Sequence, residues 1–541
     1  MIKIKKYTCG LMASGMLLFS ACADKLEVEP PHNITDKQIA ELLASGDEAK
    51  IKIVMGGMAN AMPLLFNNAG ASGAGTADMY YTAQGLDVNR ILEGNDVVLS
   101  DVEGLDGLVG PVEYQMGDFI TAASTKNFAY WKYAWYCVTT ANQMLNYLPD
   151  DVVATNNFLK ECKARGLVAR AYGYAYLMEN YQDAFLQGGN AKLGIMLYDK
   201  FQPTQPNKAR STAKETYDFI KADLNNAITL LKAAGIGYTT GIADISDIDL
   251  GVANFLLARV SIWTGDWATA ISATTEILSK YPNLMSQAQY GGKNTGTATD
   301  PLIKPESNGF LNNEQNPEVI LGFALGTANT HFLAYMNPFG RGNGGEQRAY
   351  KRIDNRLYEK IAADDYRKDG FMLAAFGDYT YPASNKVAFI PSYTNMKFAA
   401  THGLNSTNKA DVGLSSFCNM RASEVLLMKA EAEAQSGADA AAKATLDKLL
   451  AARTRTGAVA LTTATYPSMQ GLTTLQMVQL QTRIELWGEG GREFYNNKRW
   501  NIPVDRANSA NHVAKTSYPV SKMTLQIPED EMLYNPLAVQ N

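Results

Sequence analysis

Ala258-Arg-Val-Ser-Ile262-Trp-Thr-Gly265-Asp266-Trp267-Ala-Thr-Ala270 decides the architecture of this chain. An alanine at helical spacing precedes a glycine, and a second helical run follows it. Small residues let two helix backbones approach, and glycine supplies the left-handed residue that ends one helix and turns into an antiparallel one. The spacing recurs in Ala430-Glu-Ala-Glu-Ala434-Gln-Ser-Gly437-Ala438-Asp439. Both stretches predict helix, tight turn, antiparallel helix.

Working outward, the first hairpin continues to Pro282 and resembles a tetratricopeptide unit of about 34 residues. Two such units are too few for a free-standing array, so other helices must cover them. Helical periodicity appears over 36–66, 126–148, 156–182, 211–233, 248–264, 266–280, 421–436, 438–453 and 472–488. Segment 159–181 is apolar or aromatic on more than one side, as a helix buried among others should be. Thr212 and Glu215 have the spacing of a capping box. Segments 156–182 and 211–233 are expected to form a third, interrupted pair.

Long Gly/Asn/Thr-rich insertions lie at 67–125, 283–350 and 370–415, with a strand-like Val319-Ile-Leu-Gly-Phe323 inside the second. The expected fold is mainly α: a tetratricopeptide-like helical hairpin scaffold with long irregular loop insertions and a few short strands. Its helical parts are expected at about 36–66, 126–282, 353–365 and 420–500. The insertions form the expected ligand face, because loops this long are uncommon unless functional, and binding residues concentrate on them.

The 541 residues carry 49 Lys+Arg against 54 Asp+Glu, a net charge of −5. Without residues 1–21, which hold Lys3, Lys5 and Lys6, the charge is −8. Such a chain has no global electrostatic pull on nucleic acid or anionic lipid, so no nucleic-acid partner is expected. Cys9, Cys22, Cys137, Cys162 and Cys418 form no C-x-x-C, and the four histidines form no i,i+4 pair. Neither pattern suits a zinc site or a dense disulfide framework, and no metal or cofactor is expected.

Lys3, Lys5 and Lys6 precede a short apolar run that ends in Ser20-Ala21-Cys22, the plan of a signal peptide over 1–21. The run is too short for a bilayer core of about 30 Å. Small residues before a cysteine resemble a bacterial lipobox, with Phe19 where leucine is usual. That resemblance implies lipidation of Cys22, with the polar, proline-bearing 22–35 as a tether to outer-membrane lipid.

Three C-terminal stretches complete a pattern. They are Arg421-Ala-Ser-Glu-Val-Leu-Leu-Met-Lys-Ala-Glu-Ala-Glu-Ala434, Arg483-Ile-Glu-Leu-Trp-Gly-Glu-Gly-Gly-Arg-Glu-Phe-Tyr-Asn-Asn-Lys-Arg-Trp500 and Leu525-Gln-Ile-Pro-Glu-Asp-Glu-Met-Leu-Tyr-Asn-Pro536. With Cys22-Ala-Asp-Lys-Leu-Glu-Val-Glu-Pro30, and with Arg170-Ala-Tyr172 and Trp131…Asn142 in the helical region, the chain resembles the SusD/RagB family of Bacteroidetes outer-membrane nutrient-binding lipoproteins. Tyr181-Gln-Asp-Ala-Phe185 departs from the Tyr-Gly turn common there. The resemblance implies one SusD-like domain over 36–541 at the cell surface, seated on a SusC-like TonB-dependent transporter. It hands over a glycan, or a peptide as in the RagB branch, without catalysis. A helical-repeat assembly scaffold that binds only proteins is the remaining alternative.

The family's ligand is generally held by loops from the first two insertions, which makes Tyr80, Tyr81, Asn89, Arg90, Tyr290, Phe332, Tyr335, Phe339 and Arg341 the candidates, beside Gln84, Asp87 and Phe310. Glu485, Glu489 and Glu493 fall at i, i+4 and i+8, and the expectation is ion pairing with Arg483, Arg492, Lys498 and Arg499 rather than acid/base catalysis, which needs two carboxyls facing one substrate. Gly340-Arg-Gly-Asn-Gly-Gly345 lacks the strand, helix and Lys-Ser/Thr of a phosphate loop. Trp131, Tyr133, Trp135 and Tyr136 are expected to be mostly core.

Overall fold

Thr35 starts the first helix: its hydroxyl accepts the Gln38 N–H, and the Gln38 side chain accepts the Thr35 N–H, closing a capping box. That helix, α1 (Asp36–Ser45), stops at Gly46, and α2 (Glu48–Leu64) follows. The single helix expected over 36–66 is therefore two. Next come α3 (Ala83–Glu93), β1 (Val97–Val98), α4 (Thr125–Leu145), α5 (Asp150–Val153), α6 (Asn157–Tyr181), α7 (Ala213–Ala234), α8 (Leu250–Thr264) and α9 (Trp267–Lys280). Then follow β2 (Val319–Ala324), β3 (Arg352–Ile353), α10 (Asn355–Lys360), β4 (Phe376–Thr380), β5 (Val387–Ile390) and β6 (Ser416–Arg421). The chain ends with α11 (Ala422–Gln435), α12 (Asp439–Ala452), α13 (Thr474–Glu485), α14 (Arg492–Trp500), β7 (Val504–Asp505), β8 (Ser517–Tyr518) and α15 (Glu529–Tyr534).

The computed structural model describes residues 35–67, 83–98, 116, 121–202, 204–240, 245–291, 307–324, 336, 351–372, 376–380, 387–390, 392–399, 416–512 and 515–541. Two compact units divide the chain, 1–57 and 58–541. The helical array, the strand pairs and the ion network described next lie in the second.

The predicted hairpin turn is present. Gly265 ends α8 at φ +75°, and the Asp266 side chain then accepts the Thr269 N–H to start α9. Ala258 and Ala270 are fully buried, as close backbone approach requires. The second hairpin, α11 with α12, also turns through a positive-φ glycine, Gly437, though without a side-chain cap on α12, and α9 packs on α11 to stack the two. The interrupted pair also forms: α6 lies against α7, and α4 covers α6. The Thr212–Glu215 capping box closes the start of α7. α6 is buried on nearly all sides, so its polar Tyr174 and Tyr181 hydroxyls bond backbone carbonyls of Tyr198 and Asn127.

Among the described residues the strands form four antiparallel two-stranded pairs: β1–β3, β2–β6, β4–β5 and β7–β8. The strand expected at 319–323 is β2, and it sets Phe323 opposite Phe417. The first insertion is not wholly a loop, because α3 lies inside it. Gly85, Asp87 and Asn89 are poor helix formers, and α3 is buried on almost every side. Its low helix propensity is what hides it in sequence.

A buried ion network joins these parts. Glu485, at the end of α13, meets Arg367 at 3.0 Å, Arg421 at 2.8 Å and Arg453 at 2.8 Å. Glu318, just before β2, meets Arg421 at 2.8 Å and Arg453 at 2.6 Å. Asp365 pairs with Arg367, and Glu489 with Arg421 and Lys397. Four cations therefore balance four carboxylates. Burial opposes ionisation of Glu485, but Arg453, Arg421 and Arg367 outweigh it and hold its carboxyl well below the usual range. Burial pushes Lys397 down to about 8, although Glu489 opposes it.

The carboxylate series thus plays the structural part expected, with other partners. Glu485, Glu489 and Glu493 do not share a helix face. α13 ends at Glu485, and the turn before α14 runs through Gly488, Gly490 and Gly491, all at positive φ. A Cβ on Gly491 would sit 2.5 Å from Arg90 Cβ, so only glycine fits there. Glu493 accepts the Asn95 N–H at 2.8 Å. Arg483 pairs with Asp96, Arg499 with Glu431, and Lys498 donates to the Glu179 carbonyl. Removing one charge from a buried network leaves its partners uncompensated and costs on the order of 3–5 kcal/mol. Glu485→Gln is expected to lower thermal stability by that order, read as a large fall in Tm by circular dichroism. A Tm unchanged from wild type contradicts this role.

Candidate functional site

Helical spacing gathers the site. Tyr172, Tyr176 and Glu179 lie at i, i+4 and i+7 on α6, one face of the helix. Arg259 on α8 and Glu424 in the first turn of α11 face them, and Asp87 of α3 joins from the side. The glycine turn contributes Glu489, Gly490 and Arg492, while β6 contributes Phe417, Cys418 and Asn419. Phe310 and Phe398 complete a solvent-open cleft of about 900 Å³. A smaller hollow of about 440 Å³ adjoins it and shares Glu179, Arg259, Glu424 and Arg492.

The polar lining divides into satisfied and unsatisfied groups. Arg259 Nη2 donates to Glu424 at 2.7 Å. Glu489 belongs to the ion network. Arg492 Nε donates to the Gly490 carbonyl at 3.0 Å, and its guanidinium lies 5.0 Å from the Tyr495 ring centroid. Among the described residues, no donor meets the side chains of Asp87 or Glu179, and no acceptor meets the terminal nitrogens of Arg492. Glu179 is only 8% exposed. Burial pushes the Asp87 carboxyl up to about 6, with Arg492 and Arg259 opposing the shift.

Tyr172 supplies an aromatic surface. Its ring leans on Phe66 at 4.3 Å between centroids, and its hydroxyl lies 3.2 Å from that of Tyr133. Asn419 Nδ2 donates to the Phe66 carbonyl at 3.1 Å. Burial raises the Cys418 thiol well above its ordinary value, so it stays protonated and poorly nucleophilic. Among the described residues no group of His, Cys, Asp and Glu is arranged to hold a metal ion, and no helix is long and apolar enough to cross a membrane. The arrangement offers hydrogen-bond donors, acceptors and a ring face to a hydroxyl-rich ligand.

Three sequence candidates are corrected. Arg90 and Asn89 lie in α3, in the interior, not on a loop. Arg90 donates to Glu93 at 2.5 Å and to Asn180 at 2.7 Å, and stacks 4.3 Å over Tyr130 and 4.4 Å over Phe494. Tyr290 is packed against Phe310, Tyr366 and Arg453. Arg90 and Tyr290 are consumed by internal contacts and Asn89 is only 3% exposed, and none of the three lines the cleft. Tyr80, Tyr81, Phe332, Tyr335, Phe339, Arg341 and Cys22 lie outside the described residues. Of the neighbouring candidates, Asp87 and Phe310 do line the cleft. Trp131 and Tyr133 are core, as expected, and Tyr136 is exposed elsewhere on α4. Tyr172, Glu179, Arg259, Asn419, Glu424 and Arg492 were not candidates. For Tyr172 and Glu179 the only signal is the i, i+4, i+7 spacing on α6, which does not tell a cleft face from a core face; Arg259, Asn419, Glu424 and Arg492 come from other elements and carry no such signal.

Two family models match the chain: the SusD family over residues 275–536, and a family described as starch-binding, associating with the outer membrane, over 110–236. The chain belongs to the SusD-like family. No curated protein matches it in sequence. Its fold is similar to a SusD-like carbohydrate binding protein from Bacteroides vulgatus, at 20% identity and a TM-score of 0.66, covering 91% of this chain and 97% of that one. A SusD superfamily protein from Bacteroides thetaiotaomicron matches at 18% and 0.65, covering 90% and 98%. One from Parabacteroides distasonis matches at 15% and 0.62, covering 94% and 99%. The mainly helical fold is that of the family.

Asp87 makes stability depend on pH. Its carboxyl titrates near 3.8 when unfolded and near 6 when folded. Its relative contribution is therefore fully present below the unfolded value and lost as pH rises through about 6. Asp87→Asn is expected to raise Tm by about 1–3 °C at about pH 8 and to leave it unchanged at about pH 4, measured by differential scanning fluorimetry. An equal shift at both pH values contradicts the assignment.

Proposed function

We propose that this chain is a non-catalytic, lipid-anchored binding protein of the outer-membrane surface that captures oligosaccharides and delivers them to a SusC-like TonB-dependent transporter. In this reading residues 1–21 are removed, Cys22 is acylated, 22–35 form the tether, and 36–541 act as one SusD-like domain. The observation that supports glycan capture is the cleft itself: a ring face at Tyr172 beside donors and acceptors with no partner among the described residues. Sugars present flat C–H faces and hydroxyls, which that combination matches. The family descriptions, starch binding and association with the outer membrane, support the same reading.

An anchor suits this function physically. Several acyl chains on one residue hold a protein stably at the bilayer, and confinement to the membrane plane raises its effective concentration at a transporter. A binding site that leaves the glycan intact lacks an acid and a base flanking one glycosidic bond.

Isothermal titration against starch oligosaccharides and other dietary glycans tests the site. Tyr172→Ala and Asn419→Ala are expected to weaken binding by about tenfold each, about 1.4 kcal/mol. Wild-type affinity in both variants moves the site elsewhere, and release of reducing ends from a bound glycan refutes the non-catalytic role. Cys22→Ala is expected to shift the protein from the membrane to the soluble fraction and to abolish its co-purification with a TonB-dependent barrel.

A further inference from the structure

The cleft's lining carries four carboxylates, Asp87, Glu179, Glu424 and Glu489, and two guanidiniums, Arg259 and Arg492. Two of the carboxylates are already neutralised. Arg259 holds Glu424, and Arg421 with Lys397 holds Glu489. What remains facing the cleft is Asp87 and Glu179 against the terminal nitrogens of Arg492. The balance is one negative charge in excess.

Glu179 is 8% exposed and has no donor among the described residues, so the water of the open cleft is what solvates its carboxylate. A ligand that displaces this water must supply donors in its place. A hydroxyl both donates and accepts, so adjacent sugar hydroxyls can donate to Glu179 and Asp87 while accepting from Arg492. An ammonium satisfies only the carboxylates and faces Arg492 as a like charge. A carboxylate or sulfate satisfies only Arg492 and faces two like charges at close range in a partly dry site, where Coulomb repulsion is poorly screened. Arg492 is itself surrounded: burial works against its charge, but Glu179, Glu424 and Asp87 outweigh that and hold it above its ordinary range. It is thus a donor within an acidic field, not an anion site.

We propose that Glu179, Asp87 and Arg492 select neutral glycans, bridging adjacent hydroxyls and rejecting uronate- and sulfate-bearing chains. This selection rests on the glycan-binding role proposed above. It assigns specificity to residues of the scaffold helices and the glycine turn, all three of which line the cleft.

Matched oligosaccharide pairs that differ only by oxidation of C6 to a carboxylate test it: glucose, galactose and mannose chains with their uronate counterparts, titrated calorimetrically into the mature chain at about pH 7.5. In every pair that binds, the neutral member is expected to bind at least about tenfold more tightly. Glu179→Gln keeps the shape and removes the charge. It is expected to weaken neutral binding and to narrow the neutral-to-uronate ratio severalfold, with Asp87→Asn/Glu179→Gln narrowing it further. Arg492→Lys, which keeps the charge but loses the paired geometry, is expected to weaken the neutral member while leaving the uronate excluded. Uronate binding equal to or tighter than neutral binding overturns the selection and leaves glycan capture standing. A ratio unmoved in a folded Glu179→Gln variant overturns the assignment to these residues. If no member of any pair binds the folded wild type, glycan capture itself fails, and selection with it.

Discussion

Glu485 is the point on which the structure turns. One carboxylate accepts from three arginines that arrive from separate parts of the chain: Arg367 from a 3-10 turn, Arg421 from the β6–α11 junction and Arg453 from the end of α12. Taking such charges out of water is expensive, so they persist only because each is paired and hydrogen-bonded. Glu318 and Asp365 complete the charge balance, and Tyr366 and Tyr466 donate or accept around the edge. The gain is in placement. A network satisfied in one arrangement only fixes where α11, α12, α13 and β2 meet, which packing of alanine-rich helices alone leaves loose.

That placement carries into the cleft. Arg421 grips Glu485 and Glu489 at once, with Glu489 Oε2 at 2.7 Å. Glu489 stands in the glycine turn, so the turn is pinned to the network on one side, and Gly491 abuts Arg90 on the other. Arg492 leaves that turn directly into the cleft. The binding groups therefore sit on rigid elements, which gives sharper geometry than loops do. Solved relatives share the fold at 15–20% identity. A scaffold held by its interior can keep its shape while cleft residues change.

Ordinary sequence rules failed where burial overrode them. Arg90 lies in a Gly/Asn-bearing insertion and looks like a loop cation, yet it is sandwiched between Tyr130 and Phe494. Tyr290 looks like a loop aromatic, yet it shields Arg453. The regular spacing of Glu485, Glu489 and Glu493 looks like one helix face, yet the positive-φ glycines between them break it. In each case the deciding partner is remote in sequence, and periodicity reports only local geometry.

By itself the sequence determined the helical hairpins, the turns at Gly265 and Gly437, the capping at Thr212 and the family, because these depend on residues a few positions apart. Its motifs also marked the carboxylates near the C-terminus as structural. Only the tertiary structure decided which arginine serves which carboxylate, that α3 is a helix, and that Asp87, Glu179 and Arg492 share one cleft. Those outcomes depend on which charges are desolvated together, and desolvation is set by the whole packed chain.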